Sequence, residues 1–332
     1  MEFILPPVLN NAKGEIRKVG FELEFGKLDL NSVAACIQEI YGGELIKHNR
    51  FLQEIKDTSK GNFKLKIDTS FLTEKSYEKL LIKAGFNPSE GTVLQDIENL
   101  SEYFASAVVP YEIDTPPVPL TEMAEIDKLR EALWKRNAQG TENSFIAAYA
   151  THINPEVPDQ KVEVLLSYLK AFLLLYPWLF QTSKVNFTRR LTAFINPFTE
   201  DYISLVLKES YKPDLKTFAE DYHIYNPDRN RPLDLYPILA WMDYETINKY
   251  TDIGNVKPRP TFHYRLPNSM INFSKWSLAT EWNRWVRVEN LAHDHVLLHQ
   301  LCRDYLELKE NTFLGFESNW IKKTEELIDD RI

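Results

Sequence analysis

The chain has 332 residues, 44% hydrophobic and 26% charged, the proportions of a globular protein with one large or two ordinary domains. Its formal net charge of −9 argues against generic nucleic-acid binding through a basic surface. Only 11 glycines occur, and none of their spacings gives GxGxxG or GxxxxGK(S/T), so the dinucleotide fingerprint and the Walker loop are both excluded. A nucleotide would have to be held here through metal ions and basic side chains.

In chain order, the N-terminus MEFILPPVLNNAKGEIRK lacks an apolar run behind a basic start, so no signal peptide is expected. Period-two alternation predicts a strand over Lys18–Phe25, with Val19, Phe21, Leu23 and Phe25 on one side and Gly20, Glu22 and Glu24 on the other. A helix follows over Ser32–Tyr41. A second strand spans Phe63–Ser70, where Lys64, Lys66, Asp68 and Ser70 oppose the apolar residues. Helices are predicted over Thr73–Ala84 and Gly91–Ala107, then a strand over Val109–Asp114 that sets Glu112 and Asp114 against Tyr111 and Ile113. The proline-rich Asp114–Pro119 separates strand-like from helix-like sequence.

Beyond it lie a helix over Glu122–Trp134, a strand over Tyr149–Asn154 presenting His152 and Asn154, and a long helix over Gln160–Phe180. The apolar stretch Leu165–Phe180 contains Lys170 and Pro177 and reads as a buried helix, too short and broken to span a bilayer. Another helix is expected over Leu233–Tyr250, and a strand over Thr261–Leu266 aligns His263 and Arg265. A helix with a permitted break covers Lys275–Lys309, and Trp320–Ile332 reads as a short surface helix. Residues 1–120 are thus strand-rich and 121–332 helix-rich with one returning strand, consistent with a single domain. Cys36 and Cys302 form no CxxC pattern, a usage that suits a reducing cytoplasm.

If the five strands share one sheet, its polar face gathers Glu22, Glu24, Asp68, Glu112, Asp114, His152 and His263 with Lys64, Lys66 and Arg265. Carboxylates so crowded raise one another's pKa or need a cation. Hard divalent ions such as Mg²⁺ or Mn²⁺ take oxygen ligands with an occasional imidazole, and basic groups suit the phosphates they bridge. The competing reading is a set of ordinary antiparallel strands with one solvated face.

The ordered blocks VGFELEF, Asp68-x-Ser70, YEIDTPPVPL and a THIN strand before a long helix resemble the amidoligase family. That family comprises carboxylate–amine ligases related to glutamine synthetase and glutamate–cysteine ligase. The resemblance runs from about Lys18 to Trp276. It implies an α+β fold with a curved, mainly antiparallel sheet, a concave active-site face and helices on the other face. It further implies ATP and Mg²⁺ or Mn²⁺ as cofactors, a small-molecule or peptide carboxylate and an amine as substrates, and no nucleic-acid or membrane partner. Matched by position, Glu22, Glu24, Glu112, His152 and His263 would hold metal, while Arg265, Asp68 and Arg190 would be catalytic. Lys64, Lys66, Arg189 and Arg259 would bind the nucleotide. The late strand has His263 where the family usually has Glu, and imidazole suits Mn²⁺ or Zn²⁺ better than Mg²⁺.

Three functions therefore stay open: an ADP-forming ligase working through an acyl phosphate, an inactive scaffold binding a peptide or protein, and a metal-dependent hydrolase. Arg229 and Arg231, with Arg259, lie in proline-rich loops able to cover a nucleotide. Among His293, His295, His299 and Cys302, only His295 and His299 have a spacing zinc ligands use; with no HExxH pattern and no third ligand fixed by spacing, they read as part of a packed or partly exposed helix. Trp276, Trp282 and Trp285 read as core anchors.

Overall fold

The computed structural model describes residues 1–67, 110–141, 149–184, 195–254, 256–312 and 314–330. The elements in order are β1 (Lys18–Phe25), α1 (Leu30–Tyr41), β2 (Glu44–Lys47), β3 (Leu52–Thr58), β4 (Gly61–Ile67), β5 (Tyr111–Asp114), β6 (Val118–Pro119) and α2 (Met123–Lys135). They continue with β7 (Thr151–Pro155), α3 (Val162–Thr182), α4 (Glu200–Leu207), α5 (Leu215–Tyr225), β8 (Leu233–Asp234), α6 (Tyr236–Met242) and α7 (Tyr244–Ile247). Last come β9 (His263–Tyr264), α8 (Leu278–His293), α9 (His295–Asn311) and α10 (Phe316–Asp330). The predicted helices Thr73–Ala84 and Gly91–Ala107 lie outside the described residues, as does the strand end from Asp68 to Ser70.

The fold is α+β. One open antiparallel sheet runs in the order β2-β3-β4-β5-β1-β7-β9-β8, with β6 pairing a further stretch of β1. Described helices fall mostly in the C-terminal half. The five strands expected from alternation are the contiguous centre of this sheet, β4-β5-β1-β7-β9. Register makes them one chemical surface: Glu22 lies opposite both Asp114 and His152, Glu24 opposite Glu112, and Lys66 opposite Glu112. Residues directly opposed across antiparallel strands share a face.

The opposite face is the core. Val19, Phe21, Leu23, Phe25, Phe63, Leu65, Ile113 and Ile153 are all fully buried, each such side chain stabilising the fold by roughly 1.5–3 kcal/mol. Helix α1 packs against β3 and β4. It starts where the Asp29 carboxylate accepts from the Asn31 and Ser32 amides at 2.9 and 3.0 Å, capping otherwise unpaired N–H groups. Gly43 lets α1 turn directly into β2, because a Cβ there would lie 2.4 Å from the Lys56 carbonyl. Behind β9, Tyr168 of α3 stacks on Phe262 at 5.0 Å, and Trp285 of α8 meets Tyr264 at 5.3 Å. Trp276, Trp282 and Trp285 are buried, as core anchors should be.

Beneath the sheet a closed polar knot ties the N-terminal segment to the helices. Arg17 and Glu289 are fully buried and pair through two hydrogen bonds of 2.7 and 2.8 Å. Trp285 Nε1 and the Tyr168 hydroxyl donate to the same carboxylate at 2.7 and 3.0 Å.

Several boundaries differ from expectation. Leu233–Tyr250 is not one helix: Leu233 and Asp234 pair with β9, Pro237 opens α6, and Asp243 ends it and caps α7 through the Thr246 amide at 3.0 Å. The expected strand Thr261–Leu266 pairs regularly only over His263–Tyr264. The long C-terminal helix breaks at Asp294, which caps α9 through the Leu297 amide at 2.9 Å. Helices α4 and α5 start at the side-chain caps Thr199 and Asp214, signals that went unread. Helix α3 has 21 residues, longer than the expected 16-residue apolar stretch and, by length and composition, long and apolar enough to cross a membrane. Most of its apolar stretch is buried inside the fold, as expected of a core helix.

Candidate functional site

Strand alternation projects Glu22 and Glu24 from the centre of the sheet, and the flanking strands deliver their neighbours. On the β7 side, His152 Nδ1 lies 2.8 Å from Glu22 Oε2, and Asn154 Nδ2 donates to Glu22 Oε1 at 2.9 Å. The Ala150 amide donates to Glu24 Oε2 at 2.7 Å. With its Nδ1–H given to Glu22, His152 keeps the Nε2 lone pair available, 3.9 Å from Glu24 Oε1. Burial pushes this imidazole down to about 3, against the hydrogen bond it donates to Glu22, so it is neutral at pH 7.

From β9, the His263 ring meets His152 edge-on at 5.1 Å and brings Nε2 to 3.6 Å from Glu22 Oε2. Its Nδ1 lies 3.2 Å from Asp234 Oδ2 on β8. Asp234 is fully buried and also accepts two hydrogen bonds from Arg229, at 3.1 and 3.0 Å. Burial alone would raise its carboxyl, but His263 and Arg229 hold it down at about 2. Asp234 thereby fixes the His263 ring and tautomer, the carboxylate–histidine arrangement common behind metal-ligating imidazoles. Sequence reading missed it by placing it inside a helix. Its visible signal was the Leu-Asp-Leu alternation between Pro232 and Pro237.

On the β5 side, Glu112 is buried beside Asp114, and Lys66 Nζ reaches both at 3.1 and 3.2 Å. Burial, with Asp114, Glu22 and Glu24 adding repulsion, raises the Glu112 carboxyl well above its usual range despite Lys66. For Glu22, burial is outweighed by attraction to His263 and the hydrogen bond to His152, leaving it well below that range.

Among the described residues two ligand groups emerge, Glu22–His152–His263 and Glu22–Glu112–Asp114, each with donor atoms within 4.8 Å of one another. Glu22 belongs to both. The residues present fit divalent ions: the buried His263 Nε2 and Asn154 Oδ1 have no hydrogen-bond partner among the described residues, and the set mixes carboxylate oxygens with neutral imidazole. Beside it opens a cavity of about 310 Å³, lined by Gly20, Glu22, Asp114, Thr115, Asn154 and Arg259. Arg259 Nη1 lies 3.5 Å from Glu22 Oε1, and its buried Nε has no hydrogen-bond partner among the described residues. A Cβ on Gly20 would meet only the Thr115 carbonyl, at an ordinary 3.8 Å, so this wall is open.

The other expected residues are placed more variously. Arg265 directs its guanidinium to the Arg229 carbonyl and the Asn230 side chain. Lys64 is half exposed, 3.9 Å from Glu54. Arg231 is buried and bonds to Asn226 at 2.9 Å, away from any nucleotide cover. Asp68, Arg189 and Arg190 lie outside the described residues. His293, His295, His299 and Cys302 enter no metal-ligand group among the described residues.

No curated protein and no solved structure matches the chain. A family profile described as putative amidoligase enzyme does match it, over residues 15–287. That span holds β1, β5, β7, β8 and β9, hence every described ligand candidate around Glu22. The chain belongs to the putative amidoligase enzyme family.

Proposed function

We propose that this amidoligase-family ligase joins a carboxylate to an amine at the expense of ATP, with divalent metal ions on the face around Glu22. The observation that carries this reading is the sharing of Glu22 between two ligand groups. Two ions flanking one carboxylate are a common means of gripping a polyphosphate. In the reaction the substrate carboxylate oxygen takes the γ-phosphoryl group, ADP leaves, and the amine then attacks the acyl carbon and expels phosphate.

Glu22 and Glu24, with His152 and His263, would form one ligand wall, and Glu112 with Asp114 the other. Bound there, Mg²⁺ or Mn²⁺ would neutralise the phosphate charge that builds up during transfer. Asp234 would hold the His263 ring so that Nε2 faces inward. Arg259 would meet phosphate or carboxylate oxygens in the adjoining cavity, its guanidinium suiting planar oxyanions. Lys66 would pass from its carboxylate partners to the incoming anion. Arg265 would brace the Arg229 loop and approach phosphate from the β9 edge. Asp68, Arg189 and Arg190 are proposed to complete the substrate side, and Lys64 to attract the nucleotide from the rim.

The test is amine-dependent ADP release with Mg²⁺ or Mn²⁺ across a panel of carboxylates. Glu22→Gln and Glu24→Gln should each abolish it while the protein stays folded by circular dichroism. Retained turnover in both variants would reject the metal assignment. Absence of Mn²⁺ and nucleotide-analogue binding at millimolar ligand would favour a non-catalytic scaffold.

A further inference from the structure

A second cavity, of about 290 Å³, lies between α3, the segment joining α4 to α5, and α9. Its walls include Leu166, Leu207, Leu298 and Cys302, all buried, and Lys170 projects from α3 among them. Lys170 is only 8% exposed. Among the described residues no hydrogen bond or ion pair reaches its Nζ, which opens on the cavity while the stem is sunk in the apolar wall. A lysine so placed is partly stripped of water, and an anion beside it would offset that loss.

The mouth offers no close anion: Glu209 attracts Lys170 and Lys212 repels it, neither within ion-pair distance. Glu163 and Glu209 are exposed there, as are Lys212, Arg303 and His299, so acids and bases are balanced at the rim. Tyr211 is already spent, donating to Asp221 at 2.8 Å. We propose that this cavity binds a small monocarboxylate with an apolar body, its carboxylate on Lys170 Nζ and its chain along Leu166, Leu207 and Leu298. The volume sits at the small end of the roughly 300–1,000 Å³ typical of ligand pockets, which suits a short chain. Burial lowers Lys170 from its ordinary value, and an anion beside it would oppose that shift. The site is independent of the ligase reading, because it shares no residue with the face around Glu22.

Calorimetric titration of the full chain with octanoate, 1-octanol and inorganic phosphate tests this. Octanoate should bind, with octanol and phosphate each at least ~10-fold weaker, about 1.4 kcal/mol. Lys170→Met keeps the stem's bulk and removes the charge, so octanoate should weaken at least ~10-fold to the level of octanol, with no fall in melting temperature. Leu207→Trp should fill the cavity and abolish octanoate binding, which also covers the case in which the lysine variant fails to fold. No octanoate binding to the unaltered chain, equal binding of octanol or phosphate, or an affinity unchanged in both variants would overturn the proposal.

Discussion

Glu289 and Glu22 are both drawn away from bulk water, and each makes four polar contacts with hydrogen-bonding or cationic groups, yet the two surroundings differ in kind. Each Glu289 oxygen accepts two hydrogen bonds of 3.0 Å or less, from Arg17, Trp285 and Tyr168. Glu22 has two short contacts, to His152 and Asn154, and two long ones, 3.5 Å to Arg259 and 3.6 Å to His263. It also faces Glu112 and Asp114 within ligand-sharing distance. A buried charge whose partners are complete is part of the frame. One whose surroundings hold surplus acids and an idle imidazole nitrogen is arranged for something that arrives later.

The largest effect expected from this contrast is on stability. Glu289→Ala leaves the buried Arg17 charge without its carboxylate, with only backbone carbonyls for partners, and should cost about 3–5 kcal/mol in denaturant unfolding. A loss below about 1 kcal/mol would erase the distinction. Next, Glu22→Gln should lower Mn²⁺ affinity at least ~100-fold by calorimetry, about 2.7 kcal/mol, while changing metal-free stability by less than about 1 kcal/mol. An equal loss of stability in both variants would show that Glu22 also belongs to the frame.

A pH series on chelator-treated protein sharpens the comparison further. The Glu112 carboxyl is raised in the fold, chiefly by burial, so between its unfolded and folded values the native state keeps a proton that the unfolded chain has released. Its contribution therefore favours folding less as pH rises from about 4.5 through the folded value. Glu112→Gln should flatten that fall and melt higher than the parent at pH 8. Saturating Mn²⁺ should reverse the order, since binding to the native state stabilises only the chain that retains its ligand. The smallest effect is expected of Gly20→Leu. The added side chain should occupy the cavity beside Glu22 and raise KM in the ADP-release assay several-fold, with melting temperature nearly unchanged because no backbone strain opposes it.

The central sheet was legible because its strands are buried on one face and polar on the other, so period two is written into the residues from Lys18 to Phe25 and from Gly61 to Ile67. The short edges were not. β2 and β8 have four and two residues, too few for a period to show, and their pairing comes from the neighbouring strand. Asp234 was lost for that reason, although it decides which His263 nitrogen faces Glu22. The apolar cavity beside Lys170 was invisible in principle, because α3, α9 and the α4–α5 segment contribute to it from far apart in sequence. Helix breaks at Asp243 and Asp294 were readable as caps, and only the hydrophobic pattern running across them hid the signal.

The position of β1 also has a consequence for how the chain becomes competent. It is the first strand of the sheet to be synthesised and lies at its centre, but Glu22 meets His152 across 130 residues and His263 only near the far end of the chain. Closing such long loops is slow and entropically costly. A nascent chain that has made only β1 to β5 holds the acids together without the histidines or Arg259. The completed centre would therefore be among the last features to mature during synthesis, and a pulse of bound Mn²⁺ would time the end of folding.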